Sequence, residues 1–232
     1  MTMTKQGIVL AILLAMMVPL KAQSINAFVL AGTAASQVEG DELKGFNHWG
    51  LHGGVGAWIG FDEKDRWGMS IETDYTCRGI YNNRMSADSY YNISMNLHYV
   101  DIPVTMFFHD SFGGLRLGAG FVYSRLVSQP NGTIKYRPTF FYPDTTDMKF
   151  LKNDIAAALE ARVDLWKGLQ LSLRYQYSLI PVKKNWHFWM EENVWSNNCY
   201  NSSLTLRVIW QFGYEDRPSQ NKLNRDRKKT RR

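Results

Sequence analysis

Strict alternation between apolar and polar side chains runs through four segments of this chain, and it constrains the fold more than any other feature. The clearest segment is residues 169–177, LQLSLRYQY, in which every second side chain is apolar or aromatic. A period of two places successive side chains on opposite faces of a β-strand. The same pattern fills residues 67–75, 154–165 and 204–212. It therefore predicts four β-strands, each with one apolar and one polar face.

Four weaker runs raise the predicted number of strands to eight. They are residues 25–32, 51–61, 93–108 and 115–121. Within residues 93–108 the apolar positions change face near Tyr99 and Val100, which predicts a β-bulge there. An even number of strands is what bacterial single-chain membrane barrels have. The sequence thus predicts an all-β fold, an eight-stranded antiparallel transmembrane β-barrel of the up-and-down type.

The first 22 residues have the layout of a secretory signal peptide. Lys5 precedes an apolar run over residues 8–20, and the small residue Ala22 follows. No other segment has about 18 consecutive apolar residues, the length that a membrane-spanning helix needs. We therefore expect a signal peptide over residues 1–22 and a barrel over residues 23–212.

Alternation alone does not say which face of the barrel points inward. A soluble lipocalin-type barrel has the same period with its apolar face inside. Two features of the faces favour the membrane alternative. The polar face carries charges of both signs beside small residues, which suits a narrow lumen. The apolar face carries aromatic residues near strand ends, as membrane girdles do; they are Trp67, Tyr75, Tyr177 and Trp210.

The predicted connections alternate in length. The long ones cover residues 33–48, 79–92, 127–153 and 180–199, and the short ones cover residues 62–65, 109–113 and 166–168. With the N-terminus in the periplasm, every long connection lies outside the cell and every short turn lies in the periplasm. We therefore predict an integral outer-membrane barrel whose wall contacts outer-membrane lipid.

The formal net charge of +6 is carried by the two ends of the chain. Residues 1–22 carry +2 and residues 213–232 carry +5, so the part between them is close to neutral at −1. Nothing in that part predicts nucleic-acid binding. The tail over residues 213–232 is expected to be either a disordered periplasmic segment or a contact for anionic headgroups or a periplasmic or secretion-machinery protein.

Three short stretches, found in the same order, resemble the PorT-like outer-membrane barrel family of Bacteroidetes. They are residues 36–41 (SQVEGD) followed by Gly45-Phe46 and Gly50, residues 72–79 with the pattern E-x-x-Y-x-x-x-G, and residues 99–104 (YVDIPV), similar to the family's Y-[LI]-[ED]-I-P-L segment. The resemblance spans the barrel but not the tail. It implies an eight-stranded outer-membrane barrel of the porin family and, for members of the named subgroup, a role in protein secretion or gliding.

Nine charged residues on the polar faces would all project into one lumen. They are Glu72, Asp74, Asp101, Arg116, Glu160, Arg162, Asp164, Arg174 and Arg207. They either line a polar path for a solute or form an ion-paired plug. Since eight strands leave room only for side chains, the size of the barrel favours the plug.

The sequence shows no catalytic or metal-binding pattern. None of the five histidines lies in the H-x-S arrangement of barrel lipases, and no group of His, Cys, Asp and Glu has zinc spacing. We therefore expect neither an enzyme nor a cofactor or metal site. Cys77 and Cys199 are predicted near the outer ends of their strands, where they are either bonded to each other or free.

Two classes of function remain after these exclusions. The first is a non-enzymatic barrel that serves as a membrane anchor, an assembly or secretion component, or a surface-interaction protein. Aromatic residues of the last long connection either form a binding surface for such a role or pack on the rim; they are Trp186, Phe188, Trp189 and Trp195. The second class is a small-solute channel or a ligand-binding barrel.

Overall fold

The computed structural model describes residues 25–41, 45–61, 66–82, 91–109, 114–136, 142–143, 149–190 and 193–213. Ten strands run through them. The first five are β1 (Ile25–Glu39), β2 (His48–Gly60), β3 (Trp67–Asn82), β4 (Tyr91–His109) and β5 (Leu115–Tyr136). The others are β6 (Tyr142–Pro143), β7 (Asn153–Trp166), β8 (Leu169–Ser178), β9 (Lys183–Met190) and β10 (Asn193–Gln211). The predicted signal peptide and all of the predicted tail beyond Gly213 lie outside the described residues.

Eight of these strands form a closed barrel. Neighbours pair antiparallel in the order β1-β2-β3-β4-β5-β7-β8-β10, and β1 pairs with β10 to close the sheet. The short strands β6 and β9 continue the sheet from the outer part of β10. The predicted eight-stranded antiparallel up-and-down barrel is therefore confirmed.

The pairing register gives the stagger of the barrel. A row of paired residues starts at Asn26 on β1 and returns to β1 at Ser36, ten residues further along. Between these two it passes through Trp58, Ser70, Thr105, Gly120, Ala158, Gln176 and Ser203. A stagger of this size tilts the strands by roughly 35–45°. Eight strands at this tilt enclose a space that side chains can fill.

The two faces of the wall are opposite in polarity. Arg207 is 0% exposed and Glu72 is 1% exposed, and both point into the barrel. Phe121 and Leu159 point outward and are 64% and 63% exposed. Since a soluble barrel hides its apolar face inside, the lipocalin alternative is excluded. Among the described residues, no helix has the length and apolar character to cross a membrane.

Aromatic side chains form a girdle at each end of the outward apolar belt. At the end with the short turns, Trp67 lies edge-to-face against Phe108 with ring centroids 5.1 Å apart. Phe61, Trp166, Trp210 and Phe212 complete this inner girdle. The outer girdle consists of Tyr75, Tyr123, Tyr175 and Tyr177. The belt between the girdles has the position of the hydrocarbon layer in membrane barrels.

Several strands are longer than the alternation predicted. A strand needs about 9–11 residues to span a membrane, whereas β5 has 22 residues and β4 has 19. Much of the predicted long connections is therefore strand: β3, β4, β5, β9 and β10 continue beyond the outer girdle. There the outward face can meet water, so the ladder continues without the row of outward apolar side chains that a membrane requires.

The predicted change of face within β4 is wrong. Alternation continues unbroken, and Met95, Leu97 and Tyr99 all point inward. The irregular pairing near these residues lies between β4 and β5, at Asn96–Tyr99, where β5 contributes the extra residues. The same set of positions on β4 points inward along the whole strand. The apolar residues change position in the sequence because the inward positions are polar in the middle of the lumen and apolar toward its outer end.

Candidate functional site

Six charged side chains from four strands meet inside the barrel, and we call them the central network. They are Glu72 and Asp74 on β3, Glu160 and Arg162 on β7, Arg174 on β8 and Arg207 on β10. Each side chain is at most 3% exposed. Three arginines face three carboxylates, so their formal charges cancel, which burial of charge requires.

Two glutamates are the hubs of the central network, because each accepts hydrogen bonds from all three arginines. Glu72 Oε2 accepts from Arg174 Nη2 at 2.7 Å and from Arg207 Nη1 at 2.8 Å, and Glu72 Oε1 accepts from Arg162. Glu160 accepts from Arg174 Nε at 2.8 Å and also from Arg162 and Arg207. Glu72 on β3 is bridged to β7, β8 and β10, which are far from it in the sequence, so the network ties opposite walls of the barrel together.

Asp74 is the peripheral carboxylate of the central network. Its Oδ2 lies 3.4 Å from Arg174 Nη1 and 3.8 Å from Arg207 Nη1. Gly54 on the neighbouring strand makes room for it, since an added Cβ at Gly54 would lie 2.3 Å from Asp74 Oδ1. This glycine of β2 therefore provides the space that the carboxylate needs.

A second charged layer lies on the outer side of the central network. Arg78 donates to Asp101, and its Nη1 lies 4.0 Å from Asp154 Oδ2. Ser178 Oγ donates to Asp154 at 2.7 Å, and Thr76 Oγ1 donates to Asp101 at 2.8 Å. One arginine thus serves two carboxylates, and the hydroxyl groups supply further hydrogen bonds.

Arg78 and Asp154 are not among the nine lumen charges that were predicted from the sequence. Arg78 lies beyond residue 75, where the predicted third strand ended. Asp154 lies on the polar face of the predicted run over residues 154–165, and this position could have identified it as a lumen charge. The nine predicted charges all lie inside the barrel, but in three groups rather than one network. Asp101 belongs to the second layer.

The third group closes the inner end of the lumen. Arg116 Nη2 donates to Asp164 Oδ2 at 3.1 Å, and the Arg116 guanidinium lies 4.9 Å from the Trp58 ring centroid. An apolar cluster fills the lumen between this pair and the central network; it consists of Phe28, Leu30, Trp58, Phe107 and Ile209. Arg162 contacts this cluster, with its guanidinium 4.4 Å from the Phe107 ring centroid.

A larger apolar cluster, which we call the outer plug, fills the opposite end. It consists of Val38, Ile80, Met95, Leu97, Tyr99, Leu126, Phe150, Val182, Trp186 and Cys199. Trp186 is 1% exposed and lies edge-to-face against Phe150, with ring centroids 6.3 Å apart. Lys183 Nζ lies 5.7 Å from the Trp186 ring centroid. The outer plug therefore seals the mouth of the barrel.

Trp186 is buried, so of the two alternatives for this residue the structure supports packing at the rim and not a place on an exposed binding surface. It packs inward because β9 folds back over the mouth, and Val182 N donates to Cys199 O at 2.8 Å. The backbones of Phe188 and Trp195 pair across the β9–β10 hairpin, as does Trp189 with Val194. The side chains of Phe188, Trp189 and Trp195 lie outside the described part of the structure.

The cysteines and histidines form no reactive group in the part of the chain that the structure describes. Cys77 and Cys199 are both free. His52 Nδ1 is hydrogen-bonded to Thr76 Oγ1 at 2.8 Å, and His98 Nδ1 is hydrogen-bonded to the Tyr75 hydroxyl at 2.6 Å. Across the same described residues, no cluster of three His, Cys, Asp or Glu side chains is placed to hold a metal ion.

Some buried polar atoms between the two charged layers have no hydrogen-bond partner among the described residues. They are His52 Nε2, Asp74 Oδ1, Asp101 Oδ1, Gln176 Nε2 and Ser203 Oγ. Donors and acceptors are both present in this set. This layer of the lumen therefore has hydrogen-bonding capacity that the described residues do not use.

Comparison with solved structures gives barrels of low sequence similarity. Neisserial surface protein A shares 11% identity, with 82% of this chain and 99% of that chain covered and a TM-score of 0.45. The attachment invasion locus protein Ail of Yersinia pestis shares 15% identity, with 81% and 99% covered and a TM-score of 0.41. A major outer membrane protein from Thermus thermophilus shares 10% identity, with 82% and 100% covered and a TM-score of 0.41. None of the curated proteins matches this chain.

The family assignment rests on a match that covers most of the chain. Residues 8–212 match the outer membrane protein beta-barrel domain family. The matched region contains all ten strands, both aromatic girdles and the charged lumen. The chain belongs to this family and is an integral β-barrel of the outer membrane.

Proposed function

We propose that this protein is a non-enzymatic membrane anchor that holds an interaction surface on the outside of the cell. The observation that carries the proposal is the filling of the lumen along its length. From the inner end outward, the lumen holds the Arg116–Asp164 pair, an apolar cluster, the central network, the second charged layer and the outer plug. A barrel filled in this way anchors and does not conduct.

Opening a path through the centre has a large energetic cost. A solute would have to separate Glu72 and Glu160 from arginines that are themselves buried. Removing one partner of a buried ion pair typically costs about 3–5 kcal/mol, and here each glutamate has three such partners. The central network therefore links opposite walls of the barrel and stabilises it.

The interaction surface of the proposal is the outer ribbon, which we define as residues 77–82, 91–98, 127–136, 183–190 and 193–199. These residues continue the ladders of β3, β4, β5, β9 and β10 beyond the outer girdle. A rigid sheet presents a partner with a fixed surface, whereas a loop must be ordered on binding. The length of the ribbon supports a role in contact with other molecules.

The role in assembly or secretion is part of the same proposal. The resemblance to PorT-like barrels of Bacteroidetes supports it, and the basic tail over residues 213–232 offers a periplasmic contact for a secretion-machinery protein. The tail carries +5 beside a barrel that is close to neutral, so an acidic periplasmic partner is the complementary chemistry. Outer-membrane lipid is the other partner of the barrel, and nucleic acid is not one.

Conductance across a planar bilayer tests the proposal directly. The refolded protein should insert without stable conductance steps. A matched control variant that removes one ion pair, Glu160→Ala with Arg174→Ala, leaves the net charge of the lumen unchanged and should show leak currents. Stable steps from the unaltered protein would contradict the anchor role.

A second candidate function is a small-solute channel or a ligand-binding barrel. The unpartnered polar atoms of His52, Asp74, Asp101 and Gln176 between the two charged layers favour it. Uptake of small polar solutes into proteoliposomes would establish this function. The His52→Leu variant should then take up solute more slowly than the unaltered protein. If the unaltered protein takes up no solute, the anchor role stands.

A further inference from the structure

β5 has a neighbouring strand on both sides only along its inner part. Residues 116–125 pair with β4 on one side and with β7 on the other. β7 begins at Asn153, and just before it Leu126 N donates to Lys152 O at 2.7 Å. Further out, residues 131–136 pair with β4 and, within the described ranges, with no strand on their other side. We call these residues the open edge; at 3.4 Å per residue it is roughly 20 Å long.

The other strand edges of the outer ribbon are blocked, paired or very short. On β3, the backbone of Gly79 is hydrogen-bonded by a side chain of β1, since Gly79 N donates to Ser36 Oγ at 3.0 Å. The outer part of β10 is paired with β9. β6, which pairs with β9, has only two residues. Among the described strands, the open edge is therefore where backbone N–H and C=O groups are left for another strand.

An unpaired strand edge is a template on which one more strand can form. Such β-strand addition takes its affinity from main-chain hydrogen bonds, which any extended segment can make. Lys135 lies on the open edge and Pro130 directly precedes it. Lysine and proline are residue types that discourage unselective pairing of strand edges. The open edge therefore suits a selected partner segment, and the charge around it indicates which kind.

The chain around the open edge is basic. Residues 125–152 contain five Lys or Arg and two Asp, a net charge of +3, although the chain between the signal peptide and the tail carries −1. Of these cations, Arg125, Lys149 and Lys152 are exposed. Arg125 Nη1 donates to Asn153 Oδ1 at 2.7 Å, which holds the guanidinium near the inner end of the edge. A second copy of the chain would bring the same positive charge to this place, so electrostatic complementarity favours an acidic partner.

We propose that an extended acidic segment of another protein pairs with the open edge as an additional strand. This inference rests on the proposed function, because it names the kind of partner that the outer ribbon holds. The main chain of the segment makes the hydrogen bonds that residues 131–136 leave unused on the side away from β4. Its carboxylates face Arg125, Lys149 and Lys152. The added strand lies about 4.8 Å from β5, the ordinary spacing within a sheet.

Amide hydrogen exchange of the protein in phosphatidylcholine nanodiscs, measured by mass spectrometry, tests the proposal. Residues 93–96 of β4 are the internal reference, because they pair with both β3 and β5 at the same level. In the protein alone, the open edge should exchange faster than this reference. The probe is a ten-residue peptide of alternating Val and Glu. At a concentration of about ten times its Kd, it should slow exchange of the open edge about tenfold. A Val–Lys peptide and a Val–Glu peptide with an N-methylated backbone should not slow it.

Two double variants test the part played by charge. Arg125→Glu with Lys152→Glu should weaken binding of the Val–Glu peptide by roughly tenfold. Arg66→Glu with Lys167→Glu reverses two exposed charges at the inner end of the barrel and should leave binding unchanged. A heat-dependent shift in gel mobility confirms that each variant is folded.

The proposal is overturned if the open edge of the protein alone exchanges as slowly as the reference, or if the Val–Glu peptide does not slow it. It is also overturned if the Val–Lys peptide slows exchange equally. Slower exchange without peptide in nanodiscs that hold two copies would assign the edge to a second copy instead. The anchor role is tested separately by conductance across a planar bilayer, so the two failures are distinguishable.

Discussion

Replacing Glu160 by Gln tests whether the central network holds the barrel together. The side chain is 0% exposed, and it accepts hydrogen bonds from three arginines and from Ser172 Oγ at 2.7 Å. Glutamine keeps the shape and removes the charge, which leaves three buried guanidinium groups with two carboxylates, Glu72 and the more distant Asp74. The loss of a buried ionic partner predicts a decrease in the free energy of unfolding of about 3–5 kcal/mol.

The assay is a urea titration of the protein folded into phospholipid vesicles, with the folded fraction read from gel mobility without heating. The control is the double variant Glu160→Gln, Arg174→Met, which removes one charge of each sign. The double variant should lower the free energy of unfolding by less than the sum of the decreases caused by Glu160→Gln alone and Arg174→Met alone. The reason is that the two side chains are coupled, typically by about 0.5–3 kcal/mol. A decrease below about 1 kcal/mol for Glu160→Gln would show that the central network does not hold the barrel together.

Three further changes probe other parts of the molecule. Leu159→Arg places a charge in the hydrocarbon layer and should lower the free energy of unfolding by ~2–4 kcal/mol, whereas Ser94→Arg on the outer ribbon should change it little, in the same urea titration. Trp186→Ala empties the centre of the outer plug and should cost about 3–5 kcal/mol; a much smaller loss would mean that the plug is loosely packed. Truncation after Tyr214 should leave folding and insertion intact on a heat-modifiability gel. It should also remove a salt-sensitive periplasmic contact, detected by cross-linking of envelopes, since the Debye length is only ~8–10 Å; failure to insert would show that the tail belongs to the fold.

The strands that cross the hydrocarbon layer could be predicted from the sequence almost residue by residue. The run over residues 169–177 corresponds to β8, Leu169–Ser178, with Gln170, Ser172 and Arg174 inside as the alternation requires. Within the membrane every outward side chain must be apolar, so the sequence carries a strict period. Beyond the outer girdle this demand ends, and the predicted strands therefore stopped too early.

The sequence predicted which charged residues lie in the lumen, but not which of them contact each other. Arg174 reaches Glu72 across 102 residues of sequence, and Arg207 reaches Glu72 across 135. These contacts depend on the ten-residue stagger of the barrel, which no local sequence pattern determines. In β4 the apolar residues Met95, Leu97 and Tyr99 face inward because they belong to the outer plug. A pattern based on polarity alone assigned them to the outside.

In this fold, apolar side chains on the outside of the barrel face lipid, while the charged lumen is sealed from it. Nuclear Overhauser effects between side-chain methyl groups and lipid acyl chains measure this contact directly. Leu206 and Val208 on β10 point outward, whereas Ile209, next to Val208, and Val122 on β5 are both 0% exposed. Acyl-chain contacts are expected for Leu206 and Val208, and none for Ile209 and Val122. The reverse pattern would contradict this arrangement.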